Sequence, residues 1–391
     1  MKPADTAKLL VGRVLGLALL AISLNLLTFT RLVGQDAAVL PTPTAAVESL
    51  VSSCPPANSA ADPLNVLSEG CPTCDSCGSC GGNCVPGRPQ CFDCESHTAA
   101  GRFLCGLYGA ICCPDPCYEP KWNALADAAF MTKSARPATH TRIRYDLGLA
   151  ALYPDRSEYF WPKANGSGLG PKPVSGGESN LKYHELSMYT ETGTGKFAMI
   201  FDMPYRSNYG QQTGHEAGFG DIVVGHKTLL FDCELLQLSY EFLTHIPSGS
   251  ANKGLGVGHV SLEPSLLLGV KLGPESYLQA QVTEWIPLGG DADYAGAILH
   301  YHFSFNQVAA RPIPNTPLIG VLEFSGYSFQ DGAYTSPDGT TLPAGGTYCY
   351  LTSGLRYVVC DKFDFGFATS FALTSEHLAQ TLVHMEVRWR Y

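Results

Sequence analysis

The chain ends in LVHMEVRWRY, residues 382–391. In an extended segment Val383, Met385, Val387, Trp389 and Tyr391 share one face, and His384, Glu386, Arg388 and Arg390 share the other. A strand in a soluble sandwich has no place for the second face, because burying four ionisable groups is costly. Turning the first face to water is no better. Lipid on one side and a wet lumen on the other satisfies both, which is the situation of a strand in a closed membrane barrel.

The same period of two recurs upstream. His140, Arg142, Arg144 and Asp146 oppose Ile143 and Tyr145, and Gln237, Ser239 and Glu241 alternate with Leu236, Leu238, Tyr240 and Phe242. His300, His302, Ser304 and Asn306 alternate with Leu299, Tyr301, Phe303 and Phe305, and Asp364, Gly366, Ala368 and Ser370 with Phe363, Phe365, Phe367 and Phe371. Each run is about ten residues, the length a tilted strand needs to cross a bilayer. About twelve such segments are expected: 138–147, 182–191, 196–203, 220–230, 234–245, 258–271, 277–287, 295–306, 315–327, 347–359, 364–373 and 381–391. The third and fourth alternate poorly; Pro264 and Glu284 interrupt two others, and a bulge absorbs either. Connections alternate between tight (192–195, 232–233, 273–276, 361–362, with 307–314 the longest of this set) and long (148–181, 204–219, 246–257, 328–346), as in outer-membrane barrels. An even count lets the first and last strands close antiparallel and leaves no edge. The expected fold is all-β: a closed antiparallel transmembrane barrel over residues 138–391.

The inward faces supply the candidate lumen lining: His140, Arg142, Arg144, Glu241, Glu263, His300, His302, Glu323, His384, Glu386, Arg388 and Arg390. On closure the four arginines of the first and last strands form one basic stripe, with Glu241, Glu263, Glu323 and Glu386 as expected partners. A mixed lining of this kind either satisfies a narrow lumen or selects a solute. His300 and His302 read as polar lining, with a shared metal ion as the alternative.

The front of the chain differs. Lys2, Lys8 and Arg13 flank an apolar stretch, Leu9 to Phe29, followed by Gly34. This order predicts a signal peptide over 1–34, with an uncleaved anchor as the alternative. Residues 35–120 hold twelve of the fifteen cysteines: Cys54, Cys71, Cys74, Cys77, Cys80, Cys84, Cys91, Cys94, Cys105, Cys112, Cys113 and Cys117. From Cys74 the spacing approaches an iron–sulfur run, and zinc is a further reading. An exported segment poor in apolar residues favours disulfides, in the periplasm. Their connectivity cannot be deduced. Cys233 and Cys360 fall in predicted tight turns on the same side. Residues 121–137 read as a short helix and linker, either plugging the lumen or lying outside it, with the outside position preferred.

Net charge is −10 with only 15% charged residues, and no basic run exists to neutralise phosphates, so nucleic acid is excluded as a partner. No G-x-S-x-G elbow or comparable nucleophile–base pattern is present, so no enzyme is expected, and nothing calls for a cofactor.

Residues 218–227, GFGDIVVGHK, together with Pro247-Ser-Gly, Gly254-Leu-Gly-Val-Gly and HVSLEPSLLLGVKL, resemble a family of bacterial outer-membrane barrels named for a phenol-degradation pathway. The resemblance covers roughly residues 138–391; the cysteine-rich front departs from it. It implies a channel or transporter for small molecules, hydrophobic ones included, in the outer membrane. Trp389 and the terminal Tyr391 resemble the signal that barrel assembly machinery reads. Expected partners are therefore outer-membrane lipid, that machinery and a small solute. The alternatives are an anchoring barrel whose residues 54–117 bind an envelope partner, and a metal or redox module carried on a barrel.

Overall fold

The computed structural model describes Thr98, residues 101–102 and residues 123–391, apart from 154–169, 172–177, 179, 234, 292–293, 314–315 and 337. The expected signal peptide and the twelve clustered cysteines lie outside the described residues. The strands are β1 His140–Ala151, β2 Leu181–Thr194, β3 Phe197–Gly210, β4 Gly214–Phe219, β5 Ile222–Asp232, β6 Leu236–Ile246, β7 Val260–Gly273 and β8 Ser276–Leu288. They continue with β9 Ile298–Ile313, β10 Thr316–Phe329, β11 Ala333–Thr335, β12 Thr341–Pro343, β13 Thr347–Val359, β14 Phe363–Ala372 and β15 Ala379–Arg390.

Each wall strand pairs antiparallel with its neighbours, and β1 pairs with β15 in the register His140↔Arg390, Arg142↔Arg388, Arg144↔Glu386. The result is a closed 12-strand antiparallel barrel. β4 and β5 together make one wall strand: β3 pairs with β4 along one half and with β5 along the other. β11 and β12 form a separate hairpin in a long loop. Pro264 stays within β7, opposite Phe242, and Glu284 within β8.

Side-chain placement inverts the rule for soluble proteins. Met199 is 57% exposed, Phe303 52% and Val387 44%, whereas Glu241, Arg356 and Asp364 are fully buried. Greasy residues on the outside face hydrocarbon; charged residues inside face one another. Phe363 stacks on Trp389, and Trp389 leans on Tyr391, at the tight-turn rim. Aromatic rings gather there because their amphipathic bodies suit the membrane–water boundary.

The segment before β1 is where expectation and structure part. Only Ala124–Asp127 form a helical turn, of the 3-10 type, capped by the Asn123 side chain accepting from Leu125 N at 2.9 Å. The rest of 128–138 is irregular and lies inside the barrel, not outside it as a linker helix. Four residues are too few for a stable helix on their own; the alanines serve instead as small surfaces that fit against the wall residues Tyr277, Ile319, Val321, Val358 and Ala368.

Candidate functional site: a plugged lumen and the cavity behind it

A buried irregular segment must find partners for its backbone N–H and C=O groups. The wall supplies them. Glu323 of β10 accepts from Phe130 N at 2.7 Å, from Met131 N at 3.1 Å, and from the N and Oγ1 of Thr132, each at 3.0 Å. Arg356 of β13 donates to the carbonyls of Ala128 (2.8 Å) and Ala129 (3.2 Å), and Arg144 of β1 to that of Phe130 (2.7 Å). Gln281 accepts from Lys133 N, Ser239 donates to the Ala135 carbonyl, and Glu191 accepts from Ala138 N. Residues 123–138 are therefore a plug whose main chain is held by side chains of the wall.

Charge holds it as well. Arg388 meets the Asp127 carboxylate at 2.9 Å, Lys133 meets Glu241 at 2.5 Å, and Arg136 meets Asp232. Phe130 is seated on two glycines: an added Cβ at Gly354 or Gly366 would lie 2.5 or 2.8 Å from its ring, and the Arg356 guanidinium covers it at 4.6 Å. Replacing Gly366 with alanine, whose Cβ would meet only the Phe130 ring and the Arg356 guanidinium, is expected to drive Phe130 off its seat. Faster proteolytic cleavage within 123–138 of the refolded protein would report it, with the barrel itself remaining resistant.

Burial alone would raise the Asp127 carboxyl, but Arg388 and Arg390 outweigh it and hold it at about 2, below its ordinary 3.8. A depressed carboxylate contributes stability that is complete above its unfolded value and disappears as pH falls through its folded one. Plug-limited conductance is thus expected to stay flat from neutral pH down to 3.8 and to climb towards 2. Asp127→Asn should abolish that acid step in planar-bilayer recordings.

The basic stripe takes partners other than those expected. Asp364 holds Arg356 at 2.6 Å, Arg388 at 2.9 Å and Arg390 at 2.5 Å, and Asp127 shares Arg388 and Arg390. Arg144 pairs with Asp146 at 2.8 Å. Of the four glutamates, Glu386 alone serves the stripe: it is 3.7 Å from Arg142, 3.5 Å from Arg144 and 2.6 Å from Arg356. Glu323 clamps the plug, Glu263 joins His245 at 2.7 Å, and Glu241 is shared between Lys133 and Lys227. Register is the cause. Asp364 lies directly opposite Arg388, and Glu386 directly opposite Arg144.

The histidines are spread along the wall. His140 rests against Tyr189, His384 bridges Ser370 and Asp146, and His302 bonds Ser325 at 2.9 Å. The His300 and His302 rings stand 6.4 Å apart and nearly perpendicular, and His300 meets Tyr327 edge-on. Cys233 is buried and Cys349 half-buried as thiols; Cys360, in the β13–β14 turn, is disulfide-bonded.

Between the plug and the long-loop rim lies a cavity of about 240 Å³. Met131 of the plug, Arg144 and His384 form its floor, and Tyr183, Trp285, Tyr327 and Tyr350 stand around it. Two ion pairs face it, Glu185–Arg206 at 2.6 Å and His245–Glu263. Above, Val257 and Ala344 from the long loops pack into an apolar cap with Trp285, Ile298, Phe329 and Tyr348. On the tight-turn side the plug leaves a gap of only about 20 Å³ against His140, Arg142, Tyr189, Glu191 and Lys227, roughly the space of one water molecule.

The aromatic ring around the cavity, the Glu191–Lys227 pair at 2.9 Å and the plug carboxylate Asp127 were missing from the sequence reading. Parity held a signal for some of them: Tyr183, Trp285 and Tyr350 share the face of the inward polar residues on their own strands.

No protein-family model matches the sequence, and no curated protein does. Solved structures similar in shape include an outer-membrane channel from Pseudomonas putida F1, with a TM-score of 0.46 and 13% identity over 66% of this chain and 96% of that one. The NanC porin gives 0.38 and 10% over 65% and 100%, and the KdgM porin 0.34 and 8% over 64% and 99%. None reaches 0.5, and none bears on how the lumen of this chain is lined.

Proposed function

We propose that the protein is an outer-membrane channel for small solutes, closed at rest by residues 123–138. The supporting observation is the combination of a polar lumen, a cavity on the long-loop side, and a removable obstruction on the other. Side chains alone fill a barrel of about eight strands, and twelve leave a wider lumen. Here an irregular peptide fills it, held by hydrogen bonds and ion pairs to wall side chains and by no strand pairing. The solute class is small and amphipathic, since the cavity joins Tyr and Trp walls to Arg, His and Glu side chains. The cysteine-rich segment is assigned to the periplasm on this reading, because residue 123 enters at the tight-turn rim. Trp389 and Tyr391 would serve as the recognition end for barrel assembly.

Liposome swelling with the full chain and with a variant lacking residues 124–136 tests the reading. The full chain is expected to pass solutes slowly and the deletion variant quickly, with a size limit. A deletion variant that folds, shown by its heat-modifiable gel shift, yet stays sealed to every solute would overturn it.

A further inference from the structure

The seat of the plug addresses main chain. Every residue from Asp127 to Lys133 has a backbone N–H or C=O bonded by a side chain of the wall. Asn306 extends the row by donating to the Leu125 carbonyl at 3.0 Å. Gln279 meets it twice, accepting from Ala129 N at 3.3 Å and donating to the Lys133 carbonyl at 3.4 Å. The wall groups follow an order: Arg388 and Arg356 donate to the carbonyls of 127–129, Glu323 accepts from three successive N–H groups, and Gln281 accepts from the next.

The side chains of the plug are mostly small. Ala124, Ala126, Ala128, Ala129 and Ala135 present a methyl group alone, and Asp127, Phe130, Lys133 and Arg136 supply the side-chain anchors. A segment so rich in alanine can satisfy its own backbone as a helix, since alanine is the strongest helix former. A stopper gripped by its side chains could have stayed helical. The wall holds it unwound instead, and commits one glutamate and three arginines, Arg388, Arg356 and Arg144, to its backbone. Such charge-assisted bonds are about twice as strong as neutral ones. The row also continues past the plug: Arg144, which takes the Phe130 carbonyl, and Met131 floor the cavity on the long-loop side.

We infer that the lumen is a binding site for peptide main chain, that its solute is a short peptide with small side chains, and that residues 127–133 occupy the site as a resident stand-in. The inference deepens the channel reading and rests on it. One carboxylate on three successive N–H groups, beside guanidiniums on successive carbonyls, matches the alternation of donors and acceptors that every peptide backbone carries. A sugar or a simple amphiphile offers no such alternation. The plug holds the site because it is joined to β1, so its local concentration is high and a free peptide must be in excess to exchange with it.

The test uses the full-length protein, trypsin and acetyl-tetraalanine amide, which offers trypsin no basic residue. Trypsin cuts after Lys133 once the plug is displaced. A competitor for the vacated site raises the displaced population by a factor of 1 + [L]/Kd, so cleavage should quicken with peptide concentration, about tenfold at roughly ten times Kd. The same peptide with every amide N-methylated, which removes the donors as proline does, should leave the rate unchanged. Glu323→Ala should be cut faster at rest and respond weakly to the peptide. Acceleration by both peptides, by neither, or undiminished in Glu323→Ala would overturn the site. Passage is read in liposomes, where the radiolabelled peptide should enter faster than sucrose, of nearly equal mass; entry no faster than sucrose would overturn the peptide as solute. Liposomes sealed to both would strike the channel reading, and the cleavage assay would still judge the site.

Discussion

Glu323→Ala is expected to turn a nearly silent barrel into a conducting one. The carboxylate holds three consecutive backbone N–H groups and the Thr132 hydroxyl, and hydrogen bonds to a charged partner contribute about 1.5–3 kcal/mol each. The bonds are not additive, because released donors meet water in a lumen that floods as the plug leaves. Losing even about 3 kcal/mol of the plug's hold raises its displaced population on the order of a hundredfold. Arg356 and Arg144 keep their carbonyl contacts, so the segment should flicker and not depart, producing brief openings in planar bilayers. Glu323→Gln should fall between the two, since an amide oxygen still accepts but carries no charge. An alanine variant as quiet as the parent, with its barrel intact, would mean that the clamp does not set the closed state.

Asp364→Ala is expected to weaken the barrel itself. One carboxylate neutralises Arg356, Arg388 and Arg390, and Asp364 and Arg356 are fully buried. Removing one partner of a buried ion pair costs about 3–5 kcal/mol, because an uncompensated charge stays behind. Here three guanidiniums crowd together with only Asp127 and Glu386 to balance them. The measurement is the temperature at which the heat-modifiable gel band unfolds, with a fall of many degrees expected. The double variant Asp364→Ala/Arg356→Met should recover part of the loss, because it removes a charge along with its partner. If the single variant melts with the parent, water must already screen this cluster.

The contrast between these two carboxylates marks what could be read from the chain. Alternation in β9, β14 and β15 placed their polar residues on one face. The even number of segments, with tight and long connections in turn, predicted closure and its polarity. Those features are local or nearly so. The partners of the stripe are not, because cross-strand register decides them: Asp364 sits opposite Arg388 by the length of the β14–β15 connection, which alternation does not encode. The plug, weighed in the sequence against an outside position and not preferred, was hard to read for a related reason. KWNALADAAF looks helical by propensity, yet the segment is fixed by Glu323 and Arg356, nearly two hundred residues or more away along the chain. The third and fourth segments alternate poorly because apolar residues face inward there: Ala198 and Ile200 on β3, and Val223 and Leu229 on β5, are buried. Gly218 and Gly220 admit Leu255 close to the wall, and Asp221 turns to hold the loop after β6.

One consequence lies in the order of events. The seat of the plug includes Glu386 and Arg388, which belong to the final strand, and His140 pairs with both Arg390 and Glu191. The socket of a stopper tethered to the first stave is therefore complete only when the last stave is in place, and closing the cylinder and seating its cork draw on the same side chains.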